Sequence, residues 1–375
     1  MPVGYLASVL VPAVATFLAL APMSTEGPRA TPSFILGTVA NELPFLVFSW
    51  LAATTLLAAA QGDLDTPVGL IGLGVALLTT AGLAVVVWRA TRARPALDAA
   101  MATLQSAGWR SRPQRMRLAR DLIAPLRFTP RGVQRTRNIA YGPAGKENLL
   151  DVYRNESRDA GCPIFVYFHP GGFFSGRKSR EARPIIDLLA TGGWVCVSAN
   201  YRLSRAGAFP NNLIDAKRVI AWLRDHAGDY DADPGTIVAA GGSAGAHLAA
   251  MCGLTPNDPT FQPGFERADT TVTAAIGLYG YYGAAPTSHP MPSSPADYAC
   301  ADAPPFLVAH GDHDPMVLAE HARRFADSLR AASSNPVVYA ELPGGQHNFD
   351  RFPSIRCTAV ADAIEAFCGW VRSPG

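Results

Sequence analysis

The stretch that most constrains this chain is residues 236–250, an apolar β-type run that breaks at glycines around Ser243 and resumes as an Ala/Leu-rich segment of helical character. It predicts a strand, a sharp turn and a helix. The turn reads Gly241-x-Ser243-x-Gly245. Small residues two before and two after the serine are what such a corner needs, because β-carbons there collide as the chain reverses. The serine is then held in a strained conformation with its hydroxyl pushed outward. With 34 glycines in the chain, the pattern alone arises easily by chance. The predicted strand before it and helix after it are what make Ser243 a candidate nucleophile.

From residue 135 onward strand and helix alternate. Strands are expected near 137–141, 148–153, 164–169, 194–201, 237–240, 272–278, 306–310 and 337–342, and helices over 213–226, after Ser243, over 317–332 and over 359–371. Runs such as 164–168 and 306–309 are apolar on both faces, the mark of a mostly parallel sheet covered by helices on each side. The expected fold class is therefore α/β, doubly wound. Such a sheet places its site beyond the carboxyl ends of the strands, so a partner for Ser243 has to follow a strand end.

Three loops meet that condition. After 164–168 comes His169-Pro170-Gly171-Gly172-Phe173-Phe174-Ser175-Gly176, whose adjacent glycines let backbone N–H groups turn towards an oxyanion. Pro170 has no N–H, so the donors are expected from Gly171 and Gly172, completed by the amide of Ala244. After 306–309 comes His310-Gly311-Asp312-His313-Asp314, which offers two carboxylates, Asp312 and Asp314. Chemistry alone does not choose between them. After 337–342 comes Gly344-Gly345-Gln346-His347, which offers His347 as base. Each loop alone is an ordinary polar turn; together they give the chain order Ser, Asp, His. His247 reads as a helix residue packing behind the serine, and His310 as a structural loop residue.

Residues from about 135 to the C-terminus resemble an α/β-hydrolase, specifically the hormone-sensitive-lipase-like carboxylesterases. The resemblance rests on the 168–176 segment as a His-Gly-Gly-Gly-type motif, Asn200-Tyr201-Arg202-Leu203, Phe209-Pro210 with Asp215, Asp233-Pro234 ahead of Gly241-Gly242-Ser243-Ala244-Gly245, His310-Gly311 with Asp314, and His347. Two positions depart from the family pattern: Pro170 stands for the first motif glycine, and Asn200 where an aspartate is common. The resemblance implies Asp314 as the acid. It implies an ester hydrolase with Ser243 as nucleophile, His347 as general base, and an oxyanion hole of Gly171, Gly172 and Ala244. No cofactor or metal is expected. Phe173, Phe174, Tyr281 and Tyr282 are candidates to line the substrate site, since the 279–305 insertion is too short for a helical lid of its own. Two other classes share these residues: another serine acyl-transfer enzyme, a peptidase or acyltransferase, and a catalytically silent binding protein.

The chain is 49% hydrophobic and only 17% charged, and the apolar excess is concentrated: residues 1–88 carry only Glu26, Arg29, Glu42, Asp63 and Asp65 as charged groups. Stretches 2–23, 34–61 (interrupted by Glu42 and Pro44) and 67–88 approach the length of membrane spans. The third ends at Trp88, followed by Arg89, Arg92 and Arg94, a snorkelling cluster. Ala19-Leu20-Ala21 resembles a signal-peptidase site, but no Lys or Arg precedes the apolar run, which favours a retained span. The basic residues after Trp88, against none in 61–66, place residue 89 onward on the cytoplasmic face and the N-terminus outside.

The expected division is thus a transmembrane region of about three spans over 1–92, a basic linker over 93–134 and a catalytic domain over 135–375. Within the linker, 96–104 and 116–123 have helical apolar spacing among many arginines, suiting a helix on an anionic membrane surface or a lid over a pocket. The expected partners are an ester substrate, small or lipid, and the bilayer. Nucleic acid is not expected, because the net charge of +2 comes without aromatic-basic interleaving. The six cysteines form no Cys-x-x-Cys pair or zinc-like spacing and read as buried hydrophobes.

Overall fold

One eight-stranded sheet organises the C-terminal part of the computed structural model, which describes residues 2–23, 30–107, 132–157, 160–287 and 290–372. The strands are β1 (Val133–Ala140), β2 (Leu149–Asn155), β3 (Cys162–Phe168), β4 (Val195–Ala199), β5 (Ala232–Gly242), β6 (Ala274–Leu278), β7 (Phe306–Gly311) and β8 (Val337–Leu342). They are ordered β1-β2-β4-β3-β5-β6-β7-β8, antiparallel at the first two joints and parallel thereafter. The helices are α1 (Pro2–Leu20), α2 (Ala30–Glu42), α3 (Pro44–Ala60), α4 (Pro67–Thr91), α5 (Ala93–Met101), α6 (Arg183–Thr191), α7 (Asn211–Asp225), α8 (Ala244–Leu254), α9 (Ala319–Ala332) and α10 (Ile355–Arg372).

The two faces of the sheet follow the strand period of two. Phe165, Tyr167, Val238 and Ile276 pack with α5, α6 and α10 on one side, while Ile164, Val166, Phe168 and Ile237 pack with α7 and α8 on the other. The expected α/β doubly wound class is observed. Helix α6 was not anticipated, being only 9 residues long with a proline in its first turn.

The linker differs from expectation. Ala93, Leu97, Met101 and Leu104 are buried in the same core as β8 and α10, so α5 and the 3-10 turn after it cover the sheet. A membrane-surface helix or lid does not describe residues 93–104. The second linker segment, 116–123, with Arg110, Arg112, Arg115, Arg117 and Arg120, lies outside the described residues.

The second apolar stretch is not one helix. It breaks between α2 and α3, which are bent by 84°. Pro44 starts α3 without an N–H, and Leu43 before it leaves helical backbone at φ −126, ψ 47, as residues preceding proline do. Helices α1 and α4 run parallel: Tyr5 lies against Gly72 and Thr16 against Gly82, and Arg89 Nη1 donates to Leu20 O at 3.1 Å. Helix α3 returns beside them, with Trp50 Nε1 donating to Ser8 O and Tyr5 bonded to Thr55. Val3–Leu20 and the run from Pro67 are long and apolar enough to cross a membrane, and the bent pair makes a third if counted as one span. Among the described residues, every exposed large hydrophobic side chain except Phe174, Met316 and Leu318 lies between Val3 and Trp88.

Candidate active site

Ser243 occupies the corner between β5 and α8 with φ 52 and ψ −117, a left-handed conformation that a non-glycine residue holds only when its surroundings enforce it. The enforcement is visible. A β-carbon on Gly241 would lie 2.2 Å from the carbonyl oxygen of Gly245, and one on Gly245 would lie 2.0 Å from that of Phe168. The motif glycines are there because α8 crosses directly over the ends of β3 and β5. Ser243 N–H donates to Leu278 O at 3.0 Å, and its carbonyl accepts from Ala246, His247 and Tyr281, which ties the corner to β6 and to α8.

The register of β7 on β8, with Gly311 opposite Leu342, brings the loops that follow them together. His347 Nδ1 lies 2.7 Å from Asp314 Oδ2. The other oxygen, Oδ1, accepts from the N–H groups of Met316 (2.8 Å) and Val317 (2.9 Å). His310 Nε2, bonded to Val317 O at 2.9 Å, lies 3.2 Å from Oδ2. Burial alone pushes the Asp314 carboxyl up, but the charge of His347 and the hydrogen bonds from both histidines outweigh it and hold the group well below the usual carboxylate range. Asp314 is therefore an anion that fixes the His347 tautomer with Nδ1–H donating, leaving Nε2 unprotonated.

Asp312 is turned elsewhere. Its Oδ1 accepts from Gly344 N–H at 2.6 Å and contacts His313 Nδ1 at 2.7 Å, so it ties the two loops rather than meeting His347. Asp314, the acid the resemblance implies, is the carboxylate whose side chain points to His347.

Phe168 lies opposite Gly241 in the sheet, so the loop after β3 runs beside the serine corner. Gly171 has φ 141 and Gly172 φ 61, conformations that turn successive amides, and Ala244 supplies an N–H from the first turn of α8. Pro170 contributes its carbonyl, 2.9 Å from His169 Nδ1. His169 stacks on Tyr201, and burial pushes its imidazole down to about 4, so the ring is neutral. Burial does the same to His247, which bonds Ser293 O at 2.7 Å and packs edge-on against Phe173. Asn200, in place of the common aspartate, accepts from Lys178 N–H and donates to Lys146 O.

The predicted lining residues divide. Phe174 is 70% exposed, its ring edge against Gly172. Phe173 is buried between His247 and Tyr281, and Tyr281 donates to Ala284 O at 3.0 Å. Tyr282 does not reach the site: its ring stacks on Phe325 of α9 at 4.1 Å in the core.

Two residues beside His347 were missed. Tyr279 packs on the imidazole with ring centres 4.8 Å apart, and Phe34 of α2 lies edge-on at 5.9 Å. Tyr279 follows the end of β6, so the strand-end rule that found the other loops applies to it as well. Phe34 sits in a stretch read as lipid-facing and carries no local signal. Among the described residues, no group of three or more His, Cys, Asp or Glu is placed to hold a metal ion.

A serine held on a strained strand-to-helix corner at the middle of a mostly parallel sheet, with acid and histidine loops after two later strands, is the architecture of the α/β hydrolases. Residues 150–292 match the family model BD-FAE. The chain is 36% identical to the probable carboxylic ester hydrolase LipM of Mycobacterium tuberculosis, over 97% of this chain and 92% of that one. It is 40% identical to the esterase LipQ of the same organism over 62% of each chain. The apo form of Thermogutta terrifontis esterase 2 superposes with a TM-score of 0.56 at 26% identity, covering 65% of this chain and 97% of that one. The chain belongs to the α/β-hydrolase carboxylesterase family.

Proposed function

We propose that this protein is a membrane-anchored serine carboxylic-ester hydrolase that works through an acyl-enzyme on Ser243. The observation that carries the reading is the 2.7 Å bond between Asp314 and His347 on the loops beside the strained Ser243 corner. His347 Nε2 takes the proton of Ser243 Oγ as the oxygen attacks the acyl carbonyl. The Gly171, Gly172 and Ala244 amides stabilise the oxyanion, each such donor being worth about 10²–10³ in rate. Collapse expels the alcohol, which leaves with the proton carried by His347, and Ser243 keeps the acyl group. Water, deprotonated by His347, then releases the acid and restores the serine. Asp314 stays ionised throughout and stabilises the imidazolium.

The N-terminal region is the anchor. Helices α1, α3 and α4 cross the bilayer, and the 17 residues of α3 span about 25 Å at ~1.5 Å per residue, close to the hydrocarbon thickness. The cluster of exposed large apolar side chains between Val3 and Trp88 supports a membrane-facing surface. The basic residues Arg89 and Arg92 at the end of α4 support a cytoplasmic position for the catalytic region. A bilayer beside the site favours apolar esters as substrates.

Fluorophosphonate labelling and p-nitrophenyl ester hydrolysis by wild type and Ser243→Ala test the reading. Labelling and hydrolysis that both vanish in Ser243→Ala are expected. Ser243-dependent labelling without ester hydrolysis points to a peptidase or acyltransferase, and no labelling at all overturns the serine mechanism. Cleavage of short p-nitrophenyl esters but of no acylglycerol in bilayers sinks the apolar-substrate part.

A further inference from the structure

Glu42 is the one charged residue in 34–61, and the mechanism above does not use it. An ionisable group in such a stretch is retained for a reason. Its side chain is 1% exposed and its partner, Arg356 of α10, 0%. Glu42 Oε1 accepts from Arg356 Nη1 and, at 3.1 Å, from Asn41 Nδ2, while Oε2 accepts from Ser354 Oγ. Two charges this deeply buried persist only because they meet, and removing one strands the other.

The same groups run on to the loop that carries His347. Arg356 Nη2 donates to Pro343 O at 3.2 Å, and Asn41 Nδ2 to Gly344 O at 3.0 Å. Gln346 Nε2 donates back to Leu18 O at the end of α1, at 2.9 Å. Gly37 leaves room for that amide, since a β-carbon there would come within 2.8 Å of Gln346 Oε1. Phe34, which touches the His347 ring, is three residues before Gly37 and seven before Asn41. These positions form one face of α2, and Ile35, Leu36 and Val39 are exposed on the rest of it. Between β8 and His347 the chain passes through Gly344 and Gly345, which by themselves hold a histidine loosely.

We propose that α2 is part of the catalytic apparatus: Glu42, Arg356 and Asn41 are positioning residues that clamp 343–346, holding His347 between Asp314 and Ser243. The inference rests on the reading of Ser243 as nucleophile and His347 as base. It makes the seating of the N-terminal helices a condition of catalysis, beyond any role in anchoring.

The test uses the full chain in detergent micelles, with Ser243→Ala as reference and active sites counted by fluorophosphonate labelling. For Glu42→Ala, kcat per labelled site is expected to fall about 10- to 100-fold with KM changed less than about threefold, the scale of a misplaced catalytic group. The second-order rate constant of fluorophosphonate inactivation, which also needs a placed histidine, is expected to fall in proportion. Glu42→Gln, which keeps an acceptor for Arg356, is expected to recover part of both. A variant that only folds less well loses labelled sites but keeps the wild-type rate constant for those remaining, and that result overturns the proposal. Should Glu42→Ala give no labelled sites, Glu42→Gln and Asn41→Ala decide by the same criterion. Hydrolysis that survives Ser243→Ala, by contrast, overturns the serine reading and not the clamp alone.

Discussion

At the residue scale, what a carboxylate touches is set by its direction more than by its type. Asp312 and Asp314 are two positions apart, yet one carboxylate meets Gly344 N–H and the other His347. In the proposed mechanism Asp314→Asn leaves His347 with an amide partner that no longer fixes the tautomer. We expect kcat to fall roughly 10³- to 10⁴-fold, by comparison with the equivalent change in a serine protease. Asp312→Asn is expected to cost less than about tenfold, because its oxygen still accepts from Gly344. Steady-state kinetics on a p-nitrophenyl ester separate the two, and equal losses would contradict the assignment. The serine, the histidine and both acids were legible because each follows a strand end in a fixed order. Tyr279, at the end of β6, met the same strand-end condition, but an aromatic ring announces packing and recognition in the same letters; Phe34, inside an apolar helix, carried no local signal.

At the scale of elements, the helices carry more information than their composition. Helix α5 has the alanines and charged residues of a surface segment, but Leu97 and Met101 are each 2% exposed against the sheet. Leu97→Ala is therefore expected to destabilise by about 2–5 kcal/mol, the usual cost of emptying a core position. Thermal unfolding in detergent should show a lowered midpoint. A change within about 0.5 kcal/mol, typical of surface sites, would return α5 to the linker. Residues 93–104 thus pack with the sheet's core although they lie before the boundary expected at 135. Pro44 was read only as an interruption. Its consequence, an 84° bend that lays α2 along the histidine loop, depends on what lies beneath.

At the scale of the molecule, the proposed topology puts one thiol to use. Cys300 is exposed, whereas Cys162, Cys196, Cys252, Cys357 and Cys368 are buried. With the catalytic domain on the cytoplasmic face, a membrane-impermeant maleimide is expected to label Cys300 only after cells are opened, with Cys300→Ser as control. Labelling of intact cells would reverse the orientation. Local spacing and hydrophobic period sufficed for the doubly wound sheet, the serine corner, the order of the site loops and the apolar N-terminal region, because each is written within a few neighbouring residues. Tertiary structure showed that Asp314, the acid the family resemblance implies, is the carboxylate that reaches His347, and it alone decided that Tyr282 belongs to the core and that α2 meets the histidine loop through Asn41, Glu42 and Arg356. Those outcomes depend on contacts between residues as much as 314 positions apart, and no local pattern encodes where two distant segments will meet.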